Sequence, residues 1–175
     1  LFFTAVEKYD KPDALQVKST GRYEPISHVE LFARVRHAAL GLAELGVRHG
    51  DRVVLLSENR PEWAIADYAC LASGVTDVPI YPNETPEAAA YIIQDSGAVA
   101  AFVSNEIQAA KIAEIREQCP TLQHVIGFDG GRVKGVDHTL FELEGRGAAV
   151  LTPAREDEFR RAALPFFAPI ESEYH

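Results

Sequence analysis

Between residues 53 and 128 the chain repeats one grammar: a short apolar run, a capping residue or proline, a helical stretch, and a glycine or proline that stops it. Val53-Val54-Leu55-Leu56 is continuously apolar, as a strand covered on both faces must be. Asn59 and Pro61 then open a helix that runs to about residue 72 and ends near Gly74, because a proline at the first helical position loses no hydrogen bond. Asp77-Val78-Pro79-Ile80-Tyr81 is a short strand, and its internal proline places it at a sheet edge or an irregular end. Thr85 and Pro86 start the next helix and Gly97 stops it. A strand over 99–103, a helix capped by Asn105 and halted by Pro120, and a strand over 122–128 complete the series. Alternation with such short loops predicts an α/β fold: a doubly wound, largely parallel sheet with flanking helices.

Upstream, two short strands over 14–18 and 23–26 flank Ser19-Thr20-Gly21-Arg22, a hairpin signal. Ser27 and Glu30 form a capping box, and Leu31, Val35, Ala38, Leu42 and Leu45 line one face of the helix that follows. Glu30, Arg34, His37 and Glu44 fall on the opposite, wet face, and Gly46 closes the helix. Beyond Phe128 the pattern fades: Asp129-Gly130-Gly131-Arg132 is a turn, Asp137 caps a short helix around 140–144, and Thr152-Pro153 opens another to about 163. The expected organisation is therefore a helix and hairpin over 1–26, an α/β core over 27–128 and an irregular, partly helical segment over 129–175. Residues 164–175 carry no clear period.

Apolar residues make up 47% of the 175, enough for a core. The formal charge of −9 argues against nucleic acid or an anionic membrane surface as the main partner. The chain begins at Leu1 and has no methionine, so it was either processed or is a piece of something longer. Cys70 and Cys119 read as free structural thiols, which suits a cytoplasmic protein. No apolar run approaches the roughly 20 residues of a membrane-spanning helix.

Chemistry is harder to find. His28, His37, His49, His124, His138 and His175 show no metal-ligand spacing, and neither cysteine has a catalytic signature around it. Ser57 follows a strand end, where functional groups collect in open α/β sheets, but it could equally cap a turn. Ser19-Thr20-Gly21 has the residue types of a phosphate cradle yet lies between two strands. The loop from Gly127 to Gly135 follows a strand without a G-K-[ST] or a helix directly behind it. Glu142, Glu144, Glu156, Asp157 and Glu158 read as solvated charges, and Trp63 and Tyr68 as packing residues. No catalytic, cofactor-binding or metal-binding residue is assigned on this basis.

A family resemblance gathers from residue 23 to about 128. Ser27-His28-Val29-Glu30-Leu31, Gly50-Asp51-Arg52-Val53, Glu58-Asn59-Arg60-Pro61-Glu62-Trp63, Val78-Pro79-Ile80-Tyr81-Pro82, and Thr85-Pro86-Glu87 with Tyr91-Ile92-Ile93-Gln94-Asp95-Ser96 occur in order. Together they resemble the N-terminal part of adenylate-forming enzymes, and among them the AMP-forming long-chain fatty acid–CoA ligases. The resemblance implies a parent enzyme that uses ATP, Mg²⁺ and coenzyme A: a fatty carboxylate attacks the α-phosphate, and the CoA thiol then displaces AMP. The family's phosphate loop, Y-T-S-G-T-T-G-x-P-K-G, has no counterpart here, where the chain reads LPFFAPIESEYH instead. The matching positions are scaffold motifs, so the expectation is an N-terminal piece of a ligase, inactive alone and binding none of those cofactors itself.

Its expected partners are the remainder of the ligase, the parent's fatty acid substrate and, through an uncovered apolar face, further copies of itself. The parent would be cytoplasmic, in one version peripheral to a membrane. Two alternatives stay open: a stand-alone scaffold or interaction module on the same fold, and another acyl- or aryl-CoA ligase of the superfamily. A generic nucleotide-binding domain is disfavoured by the lack of G-x-G-x-x-G after a strand.

Overall fold

A computed structural model describes residues 2–131 and 133–167; His175 and the rest of 168–175 lie outside the described residues. Helix α1 (Phe2–Tyr9) precedes an antiparallel hairpin of β1 (Leu15–Ser19) and β2 (Arg22–Ile26). Thr20 and Gly21 make its two-residue turn with φ of 47° and 84°, the left-handed pair that suits the twist of a tight hairpin. Then come α2 (His28–Glu44), β3 (Arg52–Leu56), α3 (Pro61–Ala72), β4 (Thr76–Ile80), α4 (Pro86–Ser96), β5 (Ala100–Val103), α5 (Glu106–Ile115) and β6 (His124–Gly127). The chain continues through β7 (His138–Thr139), α6 (Leu140–Ala149) and α7 (Pro153–Phe167).

Strands β3 to β7 form one all-parallel sheet in the order β4-β3-β5-β6-β7. Alternate side chains of each central strand face opposite layers, as the pleat requires. Val53, Leu55, Ala100, Phe102 and Ile126 pack under α2, α3, α6 and α7, while Val54, Leu56, Ala101, Val103 and Val125 pack under α4 and α5. Strands buried on both faces explain why these segments read as unbroken apolar runs. Pro79, which has no N–H to donate, sits on β4, the edge strand.

The helix starts follow the local chemistry with two differences. Ser27 accepts from the Glu30 N–H and Thr85 from the Ala88 N–H, as expected of caps. The cap of α3 is Arg60 rather than Asn59; its extended backbone turns the chain into Pro61 without a side-chain bond. Thr139, not Asp137, opens α6, and with Glu142 it forms a reciprocal capping box. The expected wet face of α2 is covered along its middle, while Glu30 and Glu44 stay exposed: α6 crosses it, Gly41 lies against Leu143, and Arg34 pairs with Glu144 at 3.0 Å. That contact joins residues far apart in sequence, so the period of α2 alone could not announce it.

Candidate functional site

The order of the sheet sets the site. From β3 the chain steps outward to β4, then returns past β3 to place β5 on its other side. At that reversal the loops leaving β3 and β5 diverge to opposite faces, and the crevice beyond the carboxyl ends of the strands is where open α/β sheets take ligands.

A polar network fills the floor of this crevice. Glu58, two residues past β3, accepts hydrogen bonds from the Ser104 hydroxyl, from Asn105 Nδ2 at 3.3 Å and from Gln108 Nε2 at 3.1 Å. Asn105 uses its oxygen at the same time to cap α5, accepting from the backbone N–H groups of Ile107 and Gln108 at 3.0 and 3.1 Å. Burial acts to raise the Glu58 pKa. Hydrogen bonds from Ser104, from its own backbone N–H, from Gln108 and from Asn105 outweigh it and hold the carboxyl below its ordinary range. Gln108 reaches on to the Pro82 carbonyl at 3.1 Å, and Lys111 Nζ donates to the carbonyls of Pro82 at 2.6 Å and Glu84 at 2.9 Å.

Arg60 ties the other side. It donates to Glu62 at 2.7 Å, to the Ser104 carbonyl at 2.8 Å and to Asp129 at 3.0 Å, and its guanidinium lies 5.6 Å from the centre of the Phe128 ring. Glu62, pushed up by burial, is brought below its ordinary range chiefly by its hydrogen bond from Arg60. Glu58 and Arg60 thus fasten together the loops that follow β3, β4, β5 and β6.

Beside the network lies a groove of about 650 Å³ lined by Ser57, Glu58, Asn59, Trp63 and the run from Pro79 to Pro82. The volume suits a small-molecule site, with its apolar walls and few polar groups. Tyr81 is 76% exposed on its rim, so the groove opens to solvent. Its lining carries one carboxylate and no Lys or Arg, which does not fit the phosphates of ATP or their Mg²⁺. Among the described residues no group of three His, Cys, Asp or Glu is placed to hold a metal ion. The geometry can hold an uncharged, apolar group; it brings together no nucleophile with a base.

Ser57 is buried under this groove and donates to the Glu58 carbonyl at 2.7 Å, a local turn contact. Trp63 lines the groove, whereas Tyr68 stacks on Phe2 with ring centres 4.5 Å apart. The Ser19-Thr20-Gly21 segment is the hairpin turn. Gly130, Gly131 and Gly135 border a second depression with Thr139, Phe141 and Glu142 at the start of α6, where the Thr139 hydroxyl and the Glu142 carboxylate already close the reciprocal capping box. Cys70 and Cys119 are free and buried, and burial raises both thiol pKa values. His124 and His138 lie 5.6 Å apart, ring to ring, with His124 Nε2 3.0 Å from the Leu45 carbonyl. Glu144 pairs with Arg34, and Glu156 with Arg36 and Arg160. The sequence pattern does not single out Ser104, Gln108 and Lys111; the available signal is that Ser104 directly follows a strand and the other two lie on the helix after it, which becomes informative only once β5 is known to lie beside β3.

The family described as AMP-binding enzyme matches residues 2–162. The long-chain-fatty-acid–CoA ligase FadD15 of Mycobacterium bovis is 38% identical over 143 residues, covering 81% of this chain and 23% of that protein. The human long-chain-fatty-acid–CoA ligase ACSBG1 is 32% identical over 126 residues, 72% of this chain and 17% of its own length. Among solved structures, the anthranilate CoA ligase AuaEII in complex with anthranoyl-AMP superposes with a TM-score of 0.70 at 21% identity, over 81% of this chain and 26% of that one. At that identity the likeness is one of fold. The chain spans about a fifth of the length of these curated relatives.

Proposed function

This chain belongs to the family of AMP-binding enzymes, and from that premise we propose that it is the N-terminal scaffold of an ATP-dependent fatty acid–CoA ligase. The observation that carries the reading is the 38% identity to a long-chain fatty acid–CoA ligase across 143 residues, which include the Glu58–Trp63 and Val78–Pro82 stretches within an α/β sheet of the same family. In the parent reaction a fatty carboxylate displaces pyrophosphate from ATP to give acyl-AMP, and the thiol of CoA then displaces AMP.

The residues here supply shape to that reaction. The groove and its network present a carboxylate and apolar walls, so charge on ATP, Mg²⁺ and CoA is to be met by groups outside this chain. What the chain contributes is a rigid sheet whose carboxyl-end loops are fastened to one another by Glu58 and Arg60. Among the described residues no helix is long and apolar enough to cross a membrane. The two free, buried thiols support a cytoplasmic setting.

Substituting the chain for the matching segment of FadD15 tests the proposal. The chimera is expected to form AMP only when fatty acid, ATP and CoA are all present, while the isolated chain shows no acid-dependent ATP–pyrophosphate exchange. A folded chimera without activity overturns the ligase reading and favours a non-catalytic module. Exchange by the isolated chain overturns the scaffold role.

A further inference from the structure

The loop from Tyr81 to Glu84 follows an edge strand, so a neighbouring strand supports it on one side only. Pro82 offers it no N–H, and the Glu84 N–H closes a turn on the Tyr81 carbonyl at 3.0 Å. Its hold on the body of the protein runs through α5. Gln108 Nε2 donates to the Pro82 carbonyl and to Glu58 Oε1, both at 3.1 Å, and Lys111 bonds the carbonyls of Pro82 and Glu84.

Gln108 is 3% exposed, and its Oε1 has no hydrogen-bond partner. Turning the amide over would set that oxygen against a carboxylate and a carbonyl, both acceptors. Glu58 therefore decides which way Gln108 points, and Gln108 in turn grips the loop. Tyr81 and Pro82 of that loop form one wall of the groove that Trp63 also lines.

We propose that Glu58 is a positioning residue: by orienting Gln108 it latches the Tyr81–Glu84 loop to α5 and so holds the groove at the sheet's switch point in its open shape. Asn105 and Ser104 keep the carboxylate itself in place. The inference rests on this geometry and goes beyond the ligase reading, and its test uses no ligase activity, so either can fail without the other.

Hydrogen exchange and tryptophan fluorescence on the whole chain provide the test, since Trp63 is its single tryptophan. Glu58→Gln puts an amide N–H₂ where Asn105 and Gln108 need an acceptor. It is expected to speed exchange of the Glu84 amide roughly tenfold, the loss of about one net hydrogen bond to a charged group. Trp63 emission should move to longer wavelength, with exchange at Val54 and Leu55 in β3 unchanged. Gln108→Leu keeps the volume, removes the unpartnered oxygen and should reproduce the same local change; it decides the matter if Glu58→Gln does not fold. Exchange that rises equally in β3 would show a merely structural role and overturn the proposal. Unchanged exchange at Glu84 in both variants would overturn it as well.

Discussion

Asp67 on α3 is half-buried and faces Asp77 on edge strand β4. Burial, the like charge of Asp77 and a hydrogen bond between the two carboxyls raise its pKa from 3.8 to about 6. The folded state therefore binds a proton that the unfolded chain releases near pH 4. Stability from this group is complete below that pH and is lost as pH rises through 6. Asp67→Asn keeps the shape, donates to Asp77 and removes the titration. We expect it to raise stability at pH 7.5 by about 1 kcal/mol, a figure reduced for solvent screening at a partly exposed site. Urea unfolding at pH 4.5 and 7.5 checks this: the gain should be present at the higher pH and absent at the lower. Single residues were also where the sequence was least legible. Glu58 and Arg60 stood out by resemblance, but Ser104, Gln108 and Asp129, their partners, lie 46, 50 and 69 positions away from the residues they bond. No local pattern encodes such pairs.

At the scale of elements the local rules did well wherever one segment decided its own fate. Thr85 and Asn105 cap as their hydroxyl and amide chemistry predicts, and Gly97 ends α4 with φ of 64°. The rules fell short where two elements meet. The two-residue strand β7 is too short for a periodic signal, and the α2–α6 crossing is invisible in either helix alone. That crossing is made possible by Gly41 and Gly147: a Cβ on Gly147 would collide with the His37 carbonyl, and one on Gly41 with the Leu143 carbonyl. Gly145, one turn-half away on α6, has open space around it. The two glycines should therefore respond with opposite signs. Gly145→Ala gains helix propensity and is expected to stabilise by about 0.5–1 kcal/mol. Gly147→Ala forces the helices apart and should cost about 2–3 kcal/mol despite the same gain in propensity. Thermal unfolding of the pair decides it, and equal shifts would refute the close crossing.

For the molecule as a whole, the order of apolar runs and helix starts was enough to read a doubly wound sheet, because burial on both faces leaves its mark in every strand. Strand order was not readable, and with it the crevice between β3 and β5 stayed hidden. The structure now shows that the same carboxyl end carries large apolar side chains in contact with water. Tyr81 follows β4, Ile107 begins α5 and Phe141 begins α6, and they are 76%, 69% and 80% exposed. They are spread along one end of the sheet, Tyr81 on the groove after edge strand β4 and Phe141 at the second depression after edge strand β7, and each gains by being covered. The expectation of self-association therefore moves from a general apolar face to this rim. Sedimentation velocity should show a concentration-dependent shift towards dimer at micromolar concentrations. The combined variant Tyr81→Ser, Ile107→Ser and Phe141→Ser should sediment as a monomer with unchanged circular dichroism, because none of the three contributes to the two buried clusters. A wild-type chain that stays monomeric, or a triple variant that still associates, would place the sticky surface elsewhere. A dimer abolished by the three substitutions would identify the carboxyl-end rim, the end where open α/β sheets take their ligands, as the face that seeks a partner.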